Sequence, residues 1–181
     1  TVTPKTVQHL KPLAQFAKRL QLMLVVNPVF SYGNVSASDL EFLKDLDAFR
    51  AHPYVYVNTA FHRLRRRGGN QISAPRCRVL DSTVVISPDN HLVLPCYHFQ
   101  QTTLPLKPSP DKNPLRALWQ TPTWNYFHRH QGRLKVCQGC HLNCYFDPSF
   151  SYQLDTFLWM ILLAKSRYWW NKSVRKRIEQ K

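Results

Sequence analysis

Five cysteines, at positions 77, 96, 137, 140 and 144, constrain this chain more than any other feature. The tightest group is Cys137-Gln-Gly-Cys140-His-Leu-Asn-Cys144. A C-x-x-C turn presents two thiols to the same metal ion or cluster. Gly139 between them gives the backbone access to positive φ and lets amide N–H groups face sulfur. Cys144 adds a third sulfur one turn further on. An odd count argues against a disulfide framework. Residues 1–20 read as a helix, not as a charged-then-apolar leader. Reduced, cytoplasmic thiols are therefore expected, and clustered thiols in that compartment usually mean metal.

The pattern around the cysteines divides the chain. Residues 6–20 carry apolar side chains at helical spacing, with Pro12 as an expected kink. Residues 21–30 form an almost unbroken apolar run, expected as a strand buried on both faces. Ser36 or Ser38 is expected to cap the next helix, Ser38 with Glu41 as a capping box. That helix runs to about Arg50 with Leu40, Leu43, Leu46 and Phe49 inward. Tyr54-Val-Tyr-Val57 reads as a second strand, and residues 58–67 as another helix ending at Gly68-Gly69. Helices alternating with strands specify an α/β layer with parallel strands. Two strands alone leave an open edge. Residues 1–69 are therefore expected to be the end of a larger α/β sheet or barrel, with the remainder elsewhere in the same gene or on a separate subunit.

After Gly69 the pattern changes. Residues 78–86 and 91–97 read as the two arms of a β-hairpin about the turn Ser87-Pro-Asp-Asn90. That hairpin would bring Cys77 and Cys96 to the same end. Residues 102–113 read as a polar, proline-rich loop. Residues 115–119 and 124–130 read as short helices split by Pro122. The expected organisation is 1–69 as an incomplete α/β barrel end, 70–152 as a small α+β metal-binding domain, and 153–181 as a basic amphipathic helix.

A [4Fe-4S] cluster needs four thiolates in most proteins. Cys77, Cys96, Cys137 and either Cys140 or Cys144 satisfy that requirement. Zinc accepts four cysteines, or three with a histidine, and His98, His128, His130 and His141 are near enough in sequence to serve.

The run from Cys77 through Ser87-Pro-Asp-Asn-His-Leu-Val-Leu-Pro-Cys96 resembles the auxiliary-cluster hairpin of radical S-adenosylmethionine (SAM) enzymes of the SPASM/twitch type. Residues 113–119 resemble the short helix that follows it, Trp124 resembles the aromatic after that, and Cys137-x-x-Cys140 with Cys144 and Tyr145 is similar to the closing motif. Residues 1–69 resemble the last strand–helix units of the radical SAM barrel. The resemblance implies an auxiliary iron–sulfur cluster that passes electrons or positions substrate. Three departures qualify it. His91 stands where the family usually has glycine. The family's full motif carries more cysteines and a second cluster, whereas five cysteines imply one. The radical-generating C-x-x-x-C-x-x-C motif is absent from these 181 residues, so SAM binding and cleavage are expected only in the complete protein.

The formal net charge is +15. Much of it sits in Arg63, Arg65, Arg66 and Arg67, and in Lys172, Arg175, Lys176, Arg177 and Lys181. The first run suits either a phosphate or carboxylate ligand or a solvated helix face. Asn58 suits either a ligand contact at a strand end or a helix cap. Residues 157–164 are too short to cross a bilayer, which takes about 20 residues. With Tyr168-Trp-Trp170 and the basic end they suit an interfacial helix, a peripheral membrane contact. Two other functions fit the sequence. One is a zinc-bearing nucleic-acid module, with Tyr97, Trp124 and Tyr126 available to stack on bases. The other is a non-catalytic electron-transfer protein.

Overall fold

The computed structural model describes residues 1–29, 37–107, 113–171 and 173. The chain is mixed α/β and forms two compact units, one of Thr1–Gly69 with Gln153–Lys181 and one of Asn70–Tyr152.

In the first unit, α1 (Leu10–Arg19) buries Leu10, Ala14 and Ala17 on one face. Pro12 sits in its first turn, where no backbone N–H is required. The expected two-faced strand is shorter and one-sided. It is β1 (Leu24–Val26), with Val26 buried and Val25 half exposed. α2 (Ala37–Ala48) follows. Ser38 lies inside it and is no cap, and Glu41 pairs with Lys44 at 2.7 Å in place of a capping box. Ser36 lies outside the described residues. β2 (Val55–Val57) pairs with β1 in parallel, Leu24 opposite Val55 and Val26 opposite Val57. Val2 forms a further parallel bridge to Pro28, with hydrogen bonds of 2.8 Å to Asn27 and from Val29. Residues 1–3 therefore lie along the extension of β1, in the same direction. Leu10, Ala14, Val26, Phe42, Leu46, Val55 and Val57 form the core.

α3 (Thr59–Arg66) starts at Asn58, whose side chain accepts the Phe61 amide at 3.0 Å. Asn58 is thus a helix cap. The arginine run on α3 is solvated at Arg66 and Arg67 but not at Arg65. Arg65 is 1% exposed and donates to the Val29 carbonyl at 2.8 Å, with Asp39 at 3.7 Å. Arg66 pairs with Asp47, which also holds His62 at 2.7 Å. Arg63 and Arg67 lie over the Phe157 ring at 5.6 and 5.7 Å.

The second unit opens with α4 (Val79–Ser82). This helix replaces the expected first hairpin arm. Only its tail survives as Ile86 bridged to Leu92, about a turn closed by the Ser87 amide on the His91 carbonyl at 2.9 Å. β3 (His91–Leu94) pairs instead with β4 (Thr102–Pro105), antiparallel, in a segment expected as loop. Asn90 takes φ 62° in the turn. The turn forms, but β3 is buried along Leu92, Val93 and Leu94 and takes its full ladder from the other edge. α5 (Pro114–Trp119) and α6 (Pro122–His130) follow, each with proline in the first turn and a side-chain cap from Asn113 or Thr121. α7 (Asn143–Ser149) ends the unit. α8 (Thr156–Trp170) returns to the first unit and packs on α3 and β2.

Burial raises the Asp47 carboxyl, but hydrogen bonds and charge from His62 and Arg66 outweigh it and hold the group below its ordinary value. A depressed carboxyl stabilises the fold above the unfolded value and loses that contribution as pH falls through the folded one. Asp47→Asn is expected to cost about 1–2 kcal/mol at neutral pH and to flatten the stability profile below about pH 4. Urea denaturation across pH checks both. Parallel wild-type and variant profiles would refute the linkage.

Candidate metal centre

The second unit holds all five cysteines, and the residue that splices the segments of Cys77, Cys137 and Cys140 is Asn70. It follows Gly68 and Gly69, both at φ near 80°, and is 0% exposed. Its Oδ1 accepts the amides of Arg76 at 2.8 Å and Cys77 at 3.3 Å. Its Nδ2 donates to the carbonyls of Gly132 at 2.8 Å and Cys137 at 3.1 Å. Its own amide donates to the Cys140 carbonyl, and its carbonyl accepts the Gly139 amide, both at 2.8 Å. One buried side chain and its backbone thus fix the segments bearing Cys77, Cys137 and Cys140. Gln138 adds to the splice, accepting the Ile72 amide at 3.1 Å and donating to Gln71 at 2.8 Å.

Cys96 arrives at the end of β3 and is tied by a second tether. The Tyr97 amide donates to the Tyr145 hydroxyl at 3.1 Å, and His98 packs edge-on against the Tyr145 ring at 5.8 Å. Tyr145 lies on α7, directly after the cysteine motif. Gly139 adopts φ 72°, the positive value its place in the motif demands. Gly132, at φ 71°, abuts the Cys77 segment. A Cβ there would stand 2.8 Å from both the Cys77 carbonyl oxygen and Pro75 Cβ.

Cys77, Cys96 and Cys137 are buried, Cys140 is half-buried and Cys144 is exposed, all as free thiols. Burial is the largest effect on the first four and raises each. The charges of Cys140, Cys137 and Cys96 raise Cys77 further, and Cys96 acts likewise on Cys137. Burial with Cys96 and Cys137 pushes Cys140 up to about 12. Backbone amides pull the other way at every one: Val79 at Cys77, His98 and Phe99 at Cys96, Gly132 and Leu134 at Cys137, and Leu142 at Cys140. Amides facing sulfur favour the thiolate form. Without a cation the four groups are held as neutral thiols, and binding a metal centre would require their deprotonation.

Among the described residues no group of three or more His, Cys, Asp or Glu side chains is placed to hold a metal ion. Of the histidines considered from sequence, His128 is held by Asp81 at 2.6 Å and stacks on Trp124. His130 bonds the Tyr126 carbonyl at 2.8 Å. His98 lies on Tyr145. His141 is 2% exposed, its Nδ1 at 3.0 Å from the Gly139 carbonyl and its Nε2 buried with no hydrogen-bond partner. The Gly139 carbonyl accepts from Nδ1, so in the neutral tautomer Nε2 carries the lone pair.

Compared with family models, curated proteins and solved structures, the chain matches none. The geometry of the centre and the sequence pattern around it therefore carry the functional argument.

Sequence reasoning passed over Asn70. An asparagine after two glycines reads as turn chemistry, and its partners lie 7, 62 and 67 residues away. Asn70→Ala leaves buried donors and acceptors unpaired and is expected to cost on the order of 3 kcal/mol. Gly132→Ala, strained at positive φ and without room, is expected to cost at least about 2 kcal/mol. Urea titration of the full chain checks both. Losses below about 0.5 kcal/mol would mean that the cysteine loops are held by something else.

Proposed function

We propose that residues 70–152 bind one [4Fe-4S] cluster and serve as the SPASM/twitch-like auxiliary domain of a radical SAM enzyme. The observation that carries this reading is the convergence of the Cys77, Cys137 and Cys140 segments on Asn70, with Cys96 tethered through Tyr145. Cys77, Cys96, Cys137 and Cys140 are the proposed ligands, and exposed Cys144 is spare.

Four cysteines are the usual ligand set of a [4Fe-4S] cluster, and the loops joined by Asn70 and Tyr145 carry four. Such a cluster would relay electrons or position substrate. SAM would be held by the remainder of the protein, to which the parallel strand–helix units of residues 1–69 suit a partial barrel. A second reading, a structural zinc in a basic nucleic-acid-binding module, draws on His141. A histidine with Nδ1 on a backbone carbonyl and Nε2 unpartnered has the form of a metal ligand.

Metal and sulfide analysis of anaerobically purified protein, with its absorption spectrum, decides between them. About four irons with sulfide and a broad band near ~400 nm are expected. Serine at 77, 96, 137 or 140 is expected to abolish or sharply reduce iron loading, and Cys144→Ser to leave it intact. One zinc, no colour and dependence on His141 would establish the second reading.

A further inference from the structure

α8 has no polar face. Phe157, Ile161, Ala164 and Tyr168, spaced i, i+4, i+7 and i+11, face the first unit, with Phe157 and Ile161 fully buried. The opposite face carries Trp159, Leu162, Leu163, Ser166, Trp169 and Trp170, spaced i, i+3, i+4, i+7, i+10 and i+11. Trp159 is 65% exposed, Leu163 68% and Trp169 61%. This is a continuous outward stripe of large apolar side chains with one serine in it. Exposed Lys165 borders it beside Leu162 and Trp169, and exposed Arg167 borders it beside Leu163 and Trp170. The sequence after Trp170 adds Lys172, Arg175, Lys176 and Arg177.

We infer that this stripe is a docking surface for an anionic lipid bilayer, with α8 lying in the interface plane. Three observations select that occupant. First, the stripe is tryptophan and leucine along its centre with cations only at its borders. That order matches the depth profile of a bilayer, in which apolar side chains sink, indoles settle at the headgroup level and basic side chains meet lipid phosphates. A nucleic acid would need the cations centrally, against its phosphates. Second, a second copy of the chain would set Lys165 and Arg167 against their like in a molecule of formal charge +15, and like charges across an interface oppose association. Third, fifteen residues of helix extend about 22 Å, and among the described residues no helix is long and apolar enough to cross a membrane. A cavity of about 680 Å³ opens beside the stripe, lined by Leu163, Trp169 and Trp170 together with Arg50 and Arg167. Arg50 and Arg167 line it beside apolar side chains, Arg167 also donating to the Ala51 carbonyl at 3.2 Å, so that a headgroup phosphate and the first part of an acyl chain would both find partners. The inference rests on the first unit and is independent of the metal reading.

Flotation of the full chain with vesicles of phosphatidylglycerol and phosphatidylcholine in equal parts tests it. Wild type is expected to float with these vesicles at low salt, with tryptophan emission shifted to the blue. Phosphatidylcholine vesicles alone, or added salt, should weaken binding. The double variant Trp159→Ser, Leu163→Ser is expected to lose about tenfold or more in partitioning with its circular dichroism unchanged. Lys165→Glu should reduce binding to anionic vesicles selectively. No flotation at low salt would overturn the inference, as would equal partitioning of the double variant. So would a wild-type dimer in sedimentation that the double variant converts to monomer, since the stripe would then be a self-docking face.

Discussion

The second unit depends on one saturated amide. The side chain of Asn70 has two acceptor sites and two donor hydrogens, and all four are used. Its backbone amide and carbonyl are used as well, so the residue has no alternative set of partners to turn toward. Bringing together loops separated by more than sixty residues carries a closure entropy that grows only slowly with loop length. A few buried bonds, each with an uncompensated penalty if broken, suffice to hold them. The cysteines are consequences of this splice. They sit on backbone whose path is already set, with amides aimed at their sulfurs.

The first unit uses a different device for a similar end. The short parallel ladder of β1 and β2 contributes little by itself. The helices that cover it are locked by charge, through Asp47 between His62 and Arg66, and through Arg65 against the Val29 carbonyl and Asp39. Arg63 and Arg67 then lay their guanidinium groups on the Phe157 ring, which ties α3 to α8. Such pairs cost desolvation as well as supplying attraction, so removing one partner matters more than the pair's net worth suggests.

What the sequence made legible follows from how local the signals are. β2, α3, α5 and α6 announce themselves through periodicity, Asn and Thr caps, and proline at a helix start, all within four residues. The positive φ of Gly139 is equally local. The first hairpin arm failed for the opposite reason. Residues 79–82 carry valine and leucine, which suit a strand by propensity. Yet Asp81 there is held by Arg78, His128 and Gln131, and those partners lie mostly about fifty residues away. Tertiary hydrogen bonds outweighed β-propensity. The same distance hid Asn70. Arg65 was hidden by composition, because an arginine among arginines looks solvated unless its carbonyl and carboxylate partners are known.

The buried fate of Arg65 also changes what the chain's formal charge means. An arginine whose neighbours are a carbonyl oxygen and a carboxylate spends its field at short range, although the net charge of the molecule is unchanged. Arg65 is such an internal charge, whereas Arg66 and Arg67 reach the surface. An electrophoretic mobility would register the full net charge, whereas a salt-dependent encounter rate would respond chiefly to the cations at the surface.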